Sequence, residues 1–547
     1  MVYKIVSSLD KCFPERKTSD FKELKSFSML RNERYSFQIC YDSDPGLSLA
    51  SSPTNIGIES PLRDSIKLYK VRNVPCDHPV RDNLTDPYFE KTTPGLFPDV
   101  LEPMAPGERL LKSDILNAVW VEVEPAGKFA AGKYPITFTL ESPDGVLRIG
   151  VECEIIGADL PENDFIFTQW FHVDCLRDYY LTGDYDRRLW KIISDFAANA
   201  ARYGQNMILT PVLSPELDTF PSIYRTNVQL AKISYENGHY TFDFSRLGKW
   251  ITVCEKAGIK YFEINHLFSQ WGAAKCPQVW ATKDGKYRRI FGWENDADSD
   301  EYIAFLREFL PALVAYLKAK KRLDRCFFHI SDEPFRDVIE HYGKLAAVVK
   351  PLIGGRPIMD ALSDYDYYEQ GVCDIPIPAN DHIEPFIEHN VKGLWTYYCC
   401  GQWDGVSNRF FSMPSARNRA IGFQFWKFDI KGFLQWGYNF YNSFLSFTKI
   451  NPFVSTDGDG FVPSGDTFSV YPGREETPLP SIREVVFFEG LQDRRALTLL
   501  ESMIGREKVL ALIEEGIEPI RFNKFPYERD FVLNLREKIN KEIKKHV

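Results

Sequence analysis

From Phe165 onward the chain alternates short apolar runs with longer amphipathic ones, and this rhythm limits its fold more than any other feature. Runs at 165–173, 206–209, 260–264, 326–330, 357–359, 373–377, 393–397 and 432–436 read as strands. Most are nearly continuous in apolar and aromatic residues, as strands buried on both faces are. Stretches such as 189–201, 247–257 and 301–319 read as helices between them. Strand–helix alternation implies parallel strands joined by crossovers, and eight strands imply a (β/α)8 TIM-type barrel. A doubly wound open sheet is the competitor. It usually brings a glycine-rich phosphate loop, which this sequence lacks. The tail, with Ser481 and a helical stretch to His546, is expected to close the barrel.

Residues 1–160 follow a different pattern. Tyr35, Phe37, Ile39 and Tyr41 alternate with mostly polar partners. So do Val119, Val121 and Val123, then Tyr134, Ile136, Phe138 and Leu140, and finally Val151, Cys153 and Ile155. Period-two runs broken by Pro125-Ala126-Gly127 and Ala131-Gly132 predict an N-terminal antiparallel β-sandwich. The boundary falls at 159–164, so the expected organisation is multidomain α and β: a sandwich over 1–160 and a barrel with closing helices over 165–547.

Charge and cysteine usage remove several function classes. The chain has 547 residues and a formal net charge of −10, without a basic tract, which argues against nucleic acid or an anionic membrane as partner. No apolar run is long enough to insert across a membrane. The eleven cysteines are odd in number and lack C-x-x-C spacing, although Cys399 and Cys400 are adjacent. That scatter predicts reduced thiols, not a disulfide framework or zinc site. With no secretory h-region at the start, a cytoplasmic protein is expected. No serine-hydrolase elbow, nucleotide loop or H-E-x-x-H spacing is present, so neither cofactor nor metal is expected. Monomer and homodimer both remain open.

The chemistry concentrates in His329-Ile330-Ser331-Asp332-Glu333-Pro334, where two carboxylates stand together as an apolar run ends. In an α/β barrel the carboxyl ends of the strands build the active site. The plainer alternative is the acidic first turn of a helix. The other strand ends favour a site. They carry His172 and Asp174, then Asn265 and His266 followed by Trp271, then Asp360, then Trp395, Tyr397 and Tyr398, and finally Trp436 and Asn439. Aromatics, amides and acids of this kind suit a sugar. Taken singly, His172 or His266 is more often structural, and Asp174 suits a helix N-cap.

An ordinary retaining glycosidase needs an acid/base and a separate nucleophile. The seventh run, 393–400, contains no carboxylate. An adjacent pair fits the other scheme, in which the substrate's 2-acetamido oxygen attacks the anomeric carbon. One acid then protonates the leaving oxygen while the other orients the acetamido N–H. Neighbouring side chains on a strand face opposite ways, so the chain must turn at its end to aim both inward. A like-charged neighbour and aromatic walls should raise one carboxyl's pKa.

These residues resemble glycoside hydrolase family 123, the β-N-acetylgalactosaminidases with an Asp-Glu catalytic pair. The likeness extends over most of the chain: Glu33-Arg34-Tyr35-Ser36-Phe37-Gln38, Phe97-Pro98-Asp99, Gly132-Lys133-Tyr134, Phe242-Asp243-Phe244, Gln270-Trp271-Gly272, His329 to Pro334, Gly432-Phe433-Leu434-Gln435-Trp436-Gly437, Tyr471-Pro472-Gly473, Ser481-Ile482-Arg483 and Glu489-Gly490-Leu491-Gln492-Asp493. The resemblance implies a sandwich followed by a barrel. It also implies that Asp332 orients the acetamido group, that Glu333 is general acid and then base, and that configuration is retained. Tyr397 or Tyr398 would bond the acetamido carbonyl, and the galacto preference rests on the resemblance alone. The rivals are a hydrolase of the same scaffold for another sugar, such as a β-N-acetylglucosaminide, with water or a carboxylate such as Asp360 or Asp174 in the second role, and a carbohydrate-binding protein without catalysis.

Overall fold

The computed structural model describes residues 2–42, 54–81, 84–111, 114–142, 145–215 and 217–547. Two sheets form the N-terminal part. One runs Val2–Ser7, Tyr35–Asp42, Asn117–Val123, Ile66–Cys76, Gly95–Pro103, antiparallel throughout. The other runs Ser26–Leu30, Gly145–Ile156, Gly132–Ser142, Asn55–Glu59. Period-two alternation puts Phe37, Ile39, Val119 and Val121 on one face, where they meet Ile136, Phe138, Val151 and Cys153 of the second sheet. One pair departs from an all-antiparallel sandwich: Ser26–Leu30 runs parallel to Gly145–Ile156. Four strands of the first sheet intervene in sequence between these two strands, and such a long connection permits the parallel pairing that no hairpin could make.

The five-stranded sheet is buried on its second face too. Cys40, Tyr69, Val71 and Trp120 there share a core with Ala416, Phe423, Ile482 and Val486. The alternating residues of these strands are therefore buried on both sides, against the usual half-solvated pattern.

Beyond residue 165, six strands form one parallel sheet: Trp395–Tyr397, Gly432–Gln435, Ile166–Gln169, Met207–Thr210, Tyr261–Ile264 and Cys326–Phe328. Met359–Ala361 and Ile375–Ile377 form a parallel pair. Single parallel bridges, Phe328 to Ile358 and Ala379 to Tyr397, join this pair to the two edges of the sheet. The first strand ends at Gln169 rather than Val173, because Val173 opens the helix Val173–Tyr179. The fourth ends at Phe328 rather than Ile330, because the N–H groups of Ile330 and Ser331 turn to the Asp360 carboxylate.

Side chains alternate across these strands. Met207, Leu209, Phe327, Met359, Ile377, Trp395 and Leu434 cluster together on one side. Phe167, Ile208, Phe262, Phe328 and Phe433 pack on the other with Phe196, Trp250, Phe309, Tyr342 and Phe425 of the helices Arg187–Arg202, Ser245–Ala257, Asp300–Ala319, Ile339–Val349 and Ser415–Lys427. The long helix Ile482–Ile504 is capped by Ser481, whose hydroxyl accepts from Glu484 N at 3.2 Å. It crosses Ser415–Lys427 so closely that a Cβ on Gly422 would lie 1.9 Å from the carbonyl oxygen of Gly490. Among the described residues no helix is long and apolar enough to cross a membrane.

Candidate active site

After Phe328 the chain leaves the ladder and is held by new partners. Asp360 accepts from Ile330 N at 3.1 Å, from Ser331 N at 3.3 Å and from the Tyr342 hydroxyl. Leu267 N and Phe268 N donate to the carbonyls of His329 and Ile330, and Ser331 Oγ to Ser269 O. Trp271 N donates to Asp332 O at 2.7 Å, and Glu333 N to Ala361 O at 3.0 Å. Glu333 takes φ = +42°. A left-handed backbone is uncommon for a residue with a Cβ, and here its own N–H and the Asp332 carbonyl before it are both tied down. This turn swings both carboxyls to one side.

Asp332 and Glu333 line a cavity of about 130 Å³ with Trp170, Leu217, Asp218, Gln270, Trp271, Ala361, Tyr397, Cys399, Cys400, Leu434, Trp436 and Phe461. Tyr397 donates its hydroxyl to Glu333 Oε1 at 2.5 Å. Burial, then the charges of Glu333 and Asp360, push Asp332 well above the usual carboxylate range. Burial also raises Glu333, against the hydrogen bond from Tyr397. Because the Glu333 charge helps to raise Asp332, the two acids titrate as one pair. A wider cavity of about 600 Å³ lies on the far side of Glu333 and Tyr397, which line both. Its walls include Phe335, Arg336, Tyr365, His382 and Gln402.

Of the other residues expected at the site, Trp271, Tyr397 and Trp436 line the smaller cavity. Tyr398 faces the opposite way and gives its hydroxyl to Asn418. Trp395 is buried over Gly432, where a Cβ would lie 2.2 Å from the indole. His172 bonds Arg225 and the Trp436 carbonyl, both at 2.9 Å, and Asn439 pairs with the backbone of His172. Asp174 makes a two-point ion pair with Arg225 and caps no helix, since His172 holds the cap position. Asn265 bonds Leu213 N and His266 O. These residues brace the strand ends without lining the cavity.

Beneath the pair lies a charged layer. His329 bonds Asp360 at 2.9 Å through Nδ1 and Glu263 at 3.2 Å through Nε2. Burial alone would lower its pKa, but the hydrogen bonds to Asp360 and Glu263 more than offset this, to about 9. His266 stacks on it with ring centroids 4.4 Å apart and an interplanar angle of 26°. His266, His329 and Asp360 hold ligand-type atoms within 4.8 Å of one another. His329 is bonded to a carboxylate at each ring nitrogen, which leaves it no free lone pair to offer an ion.

A family model described as the glycoside hydrolase 123 catalytic domain matches residues 170–500. The chain belongs to glycoside hydrolase family 123. A solved family 123 glycoside hydrolase from Clostridium perfringens, described in terms of glycolipid glycan hydrolysis, overlays with a TM-score of 0.75 at 14% identity, covering 100% of this chain and 97% of that one. An endo-β-1,4-mannanase from Thermotoga petrophila overlays with a TM-score of only 0.31 at 11% identity, covering 62% and 78%. No curated protein matches by sequence.

In this family 123 chain the residues that strand-end reading missed come from loops. Asp218 follows the second strand at φ = +48°; burial pushes its carboxyl up to about 7, and its Oδ2 makes no hydrogen bond within the protein. Asp466 accepts from Trp436 Nε1 at 2.9 Å and fixes that ring. Neither lies in a periodic segment, so no pattern signals them.

Asp360 gives a testable consequence. Asp360→Asn removes one of the two charge partners of His329 and turns an amide donor toward groups that already donate. Unfolding free energy at pH 7 is expected to fall by about 1–3 kcal/mol, measured by urea titration. His329 sits near 9 folded against 6.5 for the free side chain, so its stabilisation is complete below about 6.5 and lost as pH rises through 9. The variant should flatten that alkaline decline.

Proposed function

We propose that this protein is a retaining exo-β-N-acetylgalactosaminidase, in which the 2-acetamido group of the substrate is the nucleophile. The observation that carries the reading is the turned pair: Asp332 and Glu333 open on one aromatic-walled cavity. Its small volume suits one terminal sugar. A substrate amide N–H facing Asp332 favours the carboxylate there and leaves the pair's proton on Glu333, next to the glycosidic oxygen. Asp332 then stabilises the oxazolinium-like cation, and Glu333 takes a proton from the incoming water. Tyr397 is the tyrosine within reach of the acetamido carbonyl. The Clostridium relative's work on glycolipid glycans agrees with a terminal sugar on a larger glycan.

The scaffold is read as a sandwich over 1–160 and a closed (β/α)8 barrel over 165–547, supported by the two bridges that join the strand pair to the sheet edges. A reducing, cytoplasmic setting is supported by eleven free cysteines. A second reading has Asp218 as a protein nucleophile for a sugar without the acetamido group, favoured by its place in the cavity. A carboxyl near 7 is half protonated at neutral pH, which weakens it as a nucleophile.

Aryl β-glycosides of N-acetylgalactosamine, N-acetylglucosamine and galactose separate these readings, with the product anomer followed by NMR. Rapid release of β-configured N-acetylgalactosamine and tight inhibition by its thiazoline are expected. Turnover of the plain galactoside at a similar rate would favour Asp218 instead.

The wide cavity beyond Glu333 is read as the aglycone site. Phe335 is 60% exposed there, with its carbonyl fixed by the Tyr367 hydroxyl at 2.7 Å. Phe335→Ala should lower kcat/KM for an oligosaccharide relative to an aryl glycoside by about three- to tenfold, the scale of one stacking contact of about 0.5–1.5 kcal/mol.

A further inference from the structure

We propose that Cys399 and Cys400 form a vicinal-dithiol modification site, which takes thiophilic electrophiles of the trivalent-arsenical class across both sulfurs and thereby closes the sugar cavity. The site is independent of the hydrolytic mechanism; only its blocking effect rests on the activity proposed above.

Access comes first. The other nine cysteines are buried, whereas Cys399 and Cys400 are partly exposed and both line the cavity that holds Asp332 and Glu333. Cys399 and Cys400 are neighbours in sequence, and the Cys400 thiol is near enough to raise the pKa of Cys399. Cys399 Sγ is 4.0 Å from Glu333 Oε1 and 3.3 Å from Gln402 Oε1. A second pair of cysteines, Cys12 and Cys40, shares one buried core cluster and serves as an internal control.

Geometry selects the ligand. Adjacent Cα atoms are about 3.8 Å apart across a trans peptide, whereas disulfides usually span about 4.4–6.8 Å. A direct S–S bond between neighbours is therefore strained. An atom inserted between the sulfurs lengthens the closure and relieves that strain. The loop is also held in place: Cys399 N donates to Gln402 Oε1 at 2.9 Å, and Asn408 Nδ2 donates to Cys399 O at 2.8 Å. It presents both residues to the cavity.

The chemistry needs no oxidant. An arsenoxide R–As=O condenses with two thiols to give R–As(S–Cys)2. Two As–S bonds form, two S–H bonds break, and the arsenic-bound oxygen leaves with both protons as water. Arsenic stays trivalent. The neighbouring Cys400 thiol and burial raise the pKa of Cys399, so it rests as a neutral thiol whose proton leaves with the arsenic-bound oxygen.

The bound group would occupy space beside Glu333 and carry Cys399 Sγ away from Gln402. Since Tyr397 is two residues upstream, the catalytic carboxyl would lose both room and alignment.

The test treats the native protein with phenylarsine oxide and follows intact mass, adduct position and hydrolysis rate. One adduct per chain is expected, on Cys399 and Cys400. The rate should fall about a hundredfold, the scale of a misplaced catalytic group, and recover with a competing dithiol. Cys400→Ser and Cys400→Ala should each abolish the dithiol-reversible adduct, and each variant's inhibition is read against its own untreated rate. No adduct, or an adduct on Cys12 and Cys40, overturns the site. An adduct with unchanged rate overturns the blocking. An untreated protein that hydrolyses no glycoside overturns the activity proposed above, and leaves the mass result to judge the site.

Discussion

Glu333→Gln is expected to lower kcat for oligosaccharide or alkyl β-glycosides by about 10²–10⁴-fold, the usual worth of a general acid, the role proposed for Glu333. The loss should shrink toward nothing for nitrophenyl leaving groups, which depart without a proton. That gradient is the diagnostic, and a plot of log kcat against leaving-group pKa should steepen in the variant. The substitution preserves shape at a position already fixed by Glu333 N to Ala361 O at 3.0 Å and by φ = +42°. It also removes a negative neighbour that helps to raise Asp332, so Asp332 should titrate lower and the acid limb of the pH profile should move down. A uniform loss across all leaving groups would remove Glu333 from the acid role.

Asp332→Asn acts on the other half of the reaction. It keeps the backbone contact from Trp271 N but removes the charge that would stabilise the oxazolinium-like cation. A loss of about 10²–10³-fold is expected for every leaving group, matching the removal of one preorganised electrostatic partner. Because the first chemical step is slowed in each case, leaving-group dependence persists instead of steepening. Thiazoline inhibition should weaken in parallel, measured as Ki against the wild type. Full activity in Asp332→Asn would end the acetamido route and turn attention to Asp218.

Much of this was legible in the sequence. Strand periodicity marked all eight parallel segments, although the boundaries moved where side chains replaced ladder partners, as Asp360 does at Ile330 and Ser331. The motifs behind the family resemblance have a structural explanation. Asp99, Tyr471 and Arg483 come from three of them and meet in one buried cluster: Tyr471 Oη lies 2.6 Å from Asp99 Oδ2, and Arg483 grips both carboxylate oxygens. Glu33 likewise pairs with Arg536 at 2.7 Å. Such pairs join the N-terminal sheets to the later helices, and one partner without the other would leave a buried charge.

Polar residues at strand ends proved less readable. His172, Asp174, Asn265, Asp360 and Asn439 have the residue types of a sugar pocket, yet each spends its hydrogen bonds on the protein. Where strands end, freed backbone groups need partners, and polar side chains supply them. Residue type cannot separate that duty from ligand binding.

By itself the sequence determined the alternation of strands and helices, the sandwich-like start and the two carboxylates placed together, because these depend on local periodicity and on neighbours in the chain. The tertiary structure decided which way each side chain faces: Tyr397 to the cavity and Tyr398 to the core, Asp332 and Glu333 to one side through a left-handed residue, and Asp218, Asp466 and Phe335 in from loops. Those outcomes depend on partners far away in sequence, and local periodicity carries no information about them.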